Sequence, residues 1–141
     1  MTSRHKNKTI ATLLAALLGG IGLHRFYLNG RRDLWGWIHF ASLPLSAIGV
    51  VAGAGLAPVF SMFLISPLVV SILVGLLEAL VLGLTPDAKW DAEFNPASGS
   101  QSESNWLLAV ILVLTLAGGA SGLIFVLSRS FDLIFTGGAY G

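Results

Sequence analysis

Three ionisable residues, Arg25, His39 and Glu78, lie in or beside long apolar stretches, and they are the side chains best placed to do chemistry. A charged side chain at membrane depth costs about 2.5–3.5 kcal/mol on insertion scales, so such groups usually face other helices and pair. Glu78 is the only charged residue between Leu34 and Leu84, and we predict that it pairs with Arg25. Two alternatives remain open: Glu78 is protonated, or the Arg25 side chain reaches up to lipid phosphates.

His39 follows two tryptophans, Trp35 and Trp37, whose position is typical of a membrane interface. A histidine so close to the interface favours a hydrogen bond to a neighbouring backbone carbonyl, and we predict that role for His39. A proton-relay or ligand role is the alternative.

The residue types that other chemistries need are missing or wrongly spaced. The chain has no cysteine, which excludes disulfides, thiolate metal sites and a catalytic thiol. His5, His24 and His39 lack the HExxH spacing of a zinc site, and the glycine-rich GGIG lacks the Lys-Ser/Thr of a phosphate loop. No Ser-His-Asp set can be assembled from the sequence. We therefore expect no enzymatic activity, no metal and no cofactor.

The composition indicates a membrane protein. Of 141 residues, 55% are hydrophobic and only 11% are charged, against roughly 25% charged residues in a soluble domain. Three almost uncharged stretches, residues 34–51, 59–84 and 106–127, reach or approach the ~20 residues that cross a bilayer. We predict an all-α fold, an integral membrane helical bundle with three or four hydrophobic segments, the first short and glycine-terminated. The lipid bilayer is its first expected partner, and a net charge of +1 does not suggest nucleic acid.

The apolar stretch from Leu34 to Leu84 is too long for one span and suits two. We predict the break at Gly53–Pro58, where glycines and a proline favour a turn. Neighbouring groups can satisfy the carbonyl that a proline frees inside a membrane helix, so we expect kinks, and not helix ends, at Pro44 and Pro67.

A first apolar segment runs from Ile10 to Leu23 behind a basic start. Its pattern is similar to that of a secretory signal peptide, but no Ala-x-Ala-like cleavage site follows, and we interpret it as a retained helix. Its length is only ~21 Å, so the segment either extends through Leu28 to span the membrane or stops partway.

A polar insert covers residues 85–105. Thr85 can cap a short helix, with Pro86 at its first position. Trp90 and Phe94 share one face of that helix and predict that it lies against the membrane surface; the alternative is an ordinary loop with two aromatic residues. The end of the insert, SGSQSESN, has the composition of a flexible linker.

Small residues recur at four-residue spacing in the apolar segments. In lipid, close backbone approach is a main source of helix association, so we predict that these residues face other helices. The alternative is that glycine and alanine are simply common in membrane helices. The residues concerned are Ala11, Ala15, Gly19, Gly20, Gly22, Gly49, Gly53, Ser71, Gly75, Ala79, Gly83, Gly118 and Gly122.

Residues 6–30, KNKTIATLLAALLGGIGLHRFYLNG, resemble the TM2 domain family. In that family a first helix ends in glycines, a short loop carries an Asp-Arg-Phe-like triplet and a Tyr-x-x-Gly step, and a later apolar stretch ends with an intramembrane acid. His24 replaces the aspartate of the triplet, as in bacterial members. The resemblance covers residues 6–40 well and 70–95 loosely. The matching residues are Gly19, Gly20, Gly22, His24, Arg25, Phe26, Tyr27 and Gly30, with Glu78 as the acid.

The resemblance implies that the triplet loop is cytoplasmic, and it brings no agreed molecular activity. The stretch between Gly30 and Glu78 is longer than in compact members, which supports a hairpin of two helices, and the span after the insert lies beyond the domain. We divide the chain into a TM2-like membrane domain at 1–97, a linker at 98–105, and a C-terminal transmembrane helix with its tail at 106–141.

The eight lysines and arginines leave the orientation open if the chain crosses the membrane four times, because four then lie on each face. If the first segment enters and leaves on one face, seven lie there against Arg129 alone. Both schemes allow a cytoplasmic location for Arg25, Arg31, Arg32 and the 85–105 insert, which we predict. The side of the N-terminus stays open, and the tail is predicted to lie outside.

The leading functional hypothesis is a non-enzymatic protein, of a bacterial cytoplasmic (inner) membrane, that assembles with itself as a homo-oligomer or with another membrane protein. The alternative is a small channel or transporter in which Arg25, Glu78 and His39 line a polar path. An intramembrane hydrolase would need a nucleophile and base that the sequence does not offer.

Overall fold

The computed structural model describes residues 5–140, and within that range it contains helices and no strand. The predicted all-α bundle is confirmed. The elements are α1 (Lys8–Leu18), α2 (Leu23–Asn29), α3 (Leu34–Ala52), α4 (Pro58–Leu84), α5 (Asp87–Phe94) and α6 (Trp106–Thr136), with a 3-10 turn at Gly19–Ile21 between α1 and α2.

Three helices, α3, α4 and α6, are long and apolar enough to cross a membrane. The predicted break between α3 and α4 is confirmed, since α3 ends at Ala52 and α4 begins at Pro58. Pro67 lies inside α4 and cannot donate to the carbonyl of Phe63 one turn earlier. The Ser66 hydroxyl donates to that carbonyl at 2.8 Å, which shows how the helix continues through the proline.

The first apolar segment folds back on itself. Gly22 has a φ of +73°, in the left-handed region, and it ends the 3-10 turn and starts α2. The end of α2 then lies beside the start of α1, where the backbone N–H of Asn7 donates to the Tyr27 hydroxyl at 2.9 Å and Lys6 Nζ donates to the Leu28 carbonyl. The sequence left two possibilities, and the structure has the segment stop partway and return, without a continuous helix through Leu28.

The helical hairpin of α1 and α2 packs against α4 over small residues, as the spacing predicted. Ala11, Ala15 and Ala79 are all but fully buried. A Cβ atom placed on Gly19 would lie 2.7 Å from the Cα of Gly75, closer than such atoms approach in proteins. The two backbones therefore touch at this point, and no larger side chain fits at either position.

The remaining glycine pairs divide into one that packs and one that does not. At the end of α3, Cβ atoms placed on Gly49 and on the capping residue Gly53 would lie 3.3 Å and 2.2 Å from the Leu64 side chain of α4. On α6, Gly122 reaches only the far end of Leu73, and a Cβ on Gly118 would meet nothing within 4 Å. Gly118 therefore lies on the side of α6 that faces away from α4 and meets no other helix of the described chain. The prediction that it faces a helix is not met within this molecule and stays a prediction for a second one.

Helix α5 docks on the protein. Trp90 has no exposed surface, contacts a cluster with Ala11 and Leu28, and donates its ring N–H to the Lys6 carbonyl at 3.0 Å. The short helix was predicted, but its aromatic face covers the start of α1, so the prediction of a face laid on the membrane surface is wrong. Thr85 ends α4, donating to the Val81 carbonyl at 2.7 Å, and does not cap α5.

The segment between α5 and α6 is held by side-chain bonds that its linker-like composition did not predict. The backbone N–H of Ser102 donates to Asp91 at 2.7 Å, and that of Ser104 donates to Asp87 at 2.9 Å. Both aspartates lie on α5, so α5 and this segment form one unit, which we call the α5 platform (residues 87–105).

Helix α6 continues beyond its uncharged stretch. The uncharged stretch ends at Leu127, but the helix runs to Thr136. Arg129 and Asp132 pair one turn apart on its surface, so the charges that follow the uncharged stretch neutralise each other within the helix.

Candidate functional site

Glu78 lies in the C-terminal half of α4. Three ionisable side chains, from α2 and α3, surround its carboxylate. His24 Nε2 lies 2.6 Å from Glu78 Oε2, and His39 Nε2 lies 3.6 Å from the same oxygen. Arg25 donates to the other oxygen, Oε1. The predicted pairing of Arg25 with Glu78 is present, and the two histidines extend it into a four-residue cluster that we call the Glu78 site.

The turn at Gly22 sets the direction of α2, so that its first residues lie close to Glu78. A Cβ on Gly22 would lie 2.6 Å from the Gly36 carbonyl oxygen and 2.9 Å from the Cβ of His39, so only glycine allows the start of α2 to lie this close to α3. Gly36 in turn leaves room for the ring of Phe26. These contacts set the triplet against α3 and place His24 and Arg25 on the side that faces α4.

Asp33, which caps α3, is the second acid near Arg25. Its Oδ1 accepts from the Gly36 backbone N–H at 2.9 Å, and its Oδ2 lies 3.8 Å from Arg25 Nη1. Burial by itself raises the pKa of this carboxyl. The hydrogen bonds from Gly36 and Asn29 and the nearby Arg25 charge lower the pKa by more than burial raises it, so the pKa lies below its ordinary value. Asp33 is therefore ionised, and Arg25 lies between two acids.

His39 joins the site to the α3–α4 contact. Its Nδ1 lies 2.7 Å from the Ser71 hydroxyl, which donates its own proton to the Gly20 carbonyl at 2.7 Å. A hydroxyl has one proton, so His39 Nδ1 must be the donor to Ser71, and Nε2 is left facing Glu78. The prediction that His39 bonds a carbonyl is wrong, because Ser71 stands between the ring and the carbonyl.

Two nitrogen atoms of the site have no hydrogen-bond partner among the described residues. They are His24 Nδ1 and Arg25 Nε, and both are buried. The His24 side chain is 1% exposed, whereas Glu78 is 18% and Arg25 25% exposed. The His24 end of the site is therefore shielded from the surroundings, whereas the Glu78 carboxylate and the Arg25 guanidinium are partly exposed.

Two cavities meet at the open end of the site. A larger one of about 660 Å³ lies between α3 and α4, with His39, Ser42 and Ser71 in its wall. A smaller one of about 260 Å³ lies toward α5, with Asn29 and Glu93 in its wall. Arg25 and Glu78 line both, so this pair separates the two spaces.

The other residues of the predicted motif support the hairpin and do not touch Glu78. Tyr27 binds the start of α1 through its hydroxyl, and Gly30 ends α2 with a φ of +75°. His5 bonds Ser98, far from the site. Within residues 5–140, no group of three or more histidine, aspartate or glutamate side chains could hold a metal ion.

Sequence reasoning missed that both histidines share the Glu78 carboxylate. For His24 the sequence held a signal: it is the neighbour of Arg25 in the triplet, and Arg25 was the predicted partner of Glu78. For His39 none existed, since its contact with Ser71 depends on the register between α3 and α4.

Comparison with known proteins adds a family to this geometry. The family model of the TM2 domain matches residues 4–54, which cover α1, α2 and α3 and include the whole predicted motif up to Gly30. No curated protein matches the chain, and no solved structure does. With the domain and its apolar helices, this is a membrane protein. The chain therefore contains a TM2 domain, at residues 4–54.

Proposed function

We propose that this protein is a non-enzymatic membrane protein that assembles with copies of itself, or with another membrane protein, through the outer face of α6. One observation carries the proposal: the small residues Ala117, Gly118 and Ser121 are exposed, on the side of α6 turned away from α4. Small residues on a lipid-exposed helix face allow the close backbone approach that drives association in membranes.

The Glu78 site supports the same proposal. Arg25 and His24 bond Glu78, and His39 bonds Ser71, so the polar side chains at this depth bind α2, α3 and α4 to one another. Apart from His24 Nδ1 and Arg25 Nε, the polar groups named here are bonded within the chain, and side chains that bind three helices to one another suit a scaffold.

Because the chain has no cysteine, single cysteines can test the assembly. Ser121→Cys lies on the proposed face, and Ala109→Cys lies on an exposed part of α6 outside the run of small residues. In native membranes we expect Ser121→Cys to form a disulfide-linked dimer or a cross-link to a partner, and Ala109→Cys to form much less. Adding Gly118→Leu should abolish the Ser121→Cys product. Equal cross-linking at the two positions, or a product unchanged by Gly118→Leu, would contradict the proposal.

We also propose that the hairpin side of the molecule faces the cytoplasm of a bacterial cell, across its inner membrane. The returning hairpin supports seven basic residues on one side against Arg129 on the other, although one of the seven, Arg4, lies outside the described residues. That asymmetry favours a cytoplasmic location.

An impermeant maleimide applied to intact cells tests this orientation. Ala139→Cys should be labelled, and Asn29→Cys and Ala97→Cys should be protected until the membrane is opened. Labelling of Asn29→Cys or Ala97→Cys without Ala139→Cys would reverse the assignment.

A second candidate function, a small channel or transporter, is favoured by the two cavities that meet at Arg25 and Glu78. Opening the pair would join the space near α5 to the space between α3 and α4. Proteoliposome flux separates the candidates: a scaffold gives none in either wild type or Glu78→Gln, whereas a transporter gives flux that Glu78→Gln changes.

A further inference from the structure

The larger cavity is an open groove between α3 and α4 with apolar walls. Its volume is about 660 Å³, and its walls include Trp35, Ile38 and Leu45 from α3 and Val70 from α4. All four are half or more exposed, so the groove opens toward the surroundings of the helices, and not into the bundle. Both helices are candidate membrane spans, so those surroundings are lipid chains.

Three arginines lie at or near one end of this groove. Arg25 lines it, and Arg31 and Arg32 are exposed in the turn just before α3, close in sequence to Trp35. Asp33 and Glu78 are the acids nearby, and both lie against Arg25. Among the described residues Arg31 and Arg32 form no salt bridge. The three arginines outnumber the two acids by one, so this end of α3 carries a net charge of +1 with the histidines neutral.

We propose that the groove binds one anionic phospholipid, with the phosphate at Arg31 and Arg32 and an acyl chain along the walls between α3 and α4. A basic end that continues into an apolar groove between membrane helices matches the charge and the shape of such a lipid. Trp35 lies at the junction, where a tryptophan suits the headgroup level. This ligand site is separate from the α6 face and does not depend on assembly.

The proposal is tested on the full chain in mild detergent by native mass spectrometry with added phosphatidylglycerol or phosphatidylcholine. We expect one retained phosphatidylglycerol per chain and a clear preference over phosphatidylcholine. Ala41→Trp should fill the groove and abolish retention of the lipid, because Ala41 is exposed and lines the wall. Ala47→Trp is the matched control, since Ala47 is exposed on the same helix but lies outside this groove.

The headgroup contact is tested separately. Arg31→Gln and Arg32→Gln should each reduce the preference for phosphatidylglycerol about fivefold, which corresponds to ~1 kcal/mol per arginine near an anionic surface. Arg129→Gln, at the far end of α6, should leave it unchanged.

Several results would overturn the proposal. They are equal retention of the two lipids, retention that survives Ala41→Trp, and inorganic phosphate that raises the melting temperature as much as phosphatidylglycerol does. If Ala41→Trp fails to fold, Val70→Trp fills the same groove from α4 and replaces it. Loss of α6 cross-linking with unchanged lipid retention would count only against the assembly proposal.

Discussion

The carboxylates of this protein act in two different settings, the Glu78 site and the α5 platform. At the Glu78 site one carboxylate holds side chains from two other helices, and the neighbouring His24 is almost wholly buried. On the α5 platform, Asp87 and Asp91 lie near the surface and bind Lys8 and the serines of the segment before α6. The buried side chains of the platform are those of Trp90 and Asn95, and Trp90 is the one that packs against Ala11 and Leu28.

The contrast shows that similar ion pairs contribute differently at the two places. Removing one partner of the Glu78 site strands the others in a cluster that includes the almost fully buried His24. On the platform, Lys8 is buried but its partner Asp87 is 32% exposed, so water can solvate that carboxylate. The Glu78 site should therefore depend on its charges, and the platform should depend on Trp90.

The largest effect is expected at the platform's tryptophan. Trp90→Ala should lower the free energy of unfolding by about 3–5 kcal/mol, because it removes a fully buried ring and leaves a cavity over Ala11 and Leu28. Trp106→Ala is the control, since Trp106 is 77% exposed, and should change stability little. Chemical unfolding in mild detergent measures both, and equal effects would remove the contrast.

At the Glu78 site, Arg25→Ala and Glu78→Ala should each destabilise the fold by about 1–4 kcal/mol, and the double variant should cost clearly less than their sum. Arg31→Ala, an exposed arginine, should change little. A charge swap should recover part of the loss. Additive effects in a double-mutant cycle would mean that the two charges do not stabilise each other.

Ser71→Ala should cost about 1–3 kcal/mol, because it leaves the buried His39 Nδ1 donor without a partner and the Gly20 carbonyl with only the Ser42 hydroxyl, at 3.3 Å. Ser66→Ala on the same helix removes a local bond to Phe63 and should cost less. A larger loss for Ser66→Ala would show that the link between α3 and α4 is not the important one.

The smallest effect is the acid sensitivity of the platform. Hydrogen bonds from Asn95 and Ser102 lower the pKa of Asp91 to about 2, from ~3.9 in an unfolded chain. The stabilisation is therefore present above pH ~4 and is lost as the pH falls through about 2. The hydrogen-exchange protection factor of the Ser102 amide should fall over that window, and Asp91→Asn should remove the step.

The sequence predicted two kinds of feature: contacts of charged residues that are rare in apolar stretches, and turns marked by glycine and proline. Glu78 is the single charge in its stretch, so Arg25 was its obvious partner, and the glycines and proline at Gly53–Pro58 marked the turn between α3 and α4. Neither inference needed any knowledge of how the helices pack.

Contacts that depend on packing register were not predictable. The spacing of Trp90 and Phe94 shows that they share a face, but not whether the face meets lipid or α1. The small residues of α6 satisfy the same spacing rule as those of α4, yet Gly75 touches a backbone and Gly118 touches nothing. Spacing reports which residues share a face, and only the neighbouring helix decides whether that face is covered.

The contact between Gly19 and Gly75 also sets an order for biosynthesis. The α1–α2 hairpin is synthesised before α4, but the surface that it needs belongs to α4, and Gly75 lies more than fifty residues after Gly19 in the chain. The hairpin therefore has no packing surface until α4 has been made, and a chain truncated before Gly75 would leave it without a partner.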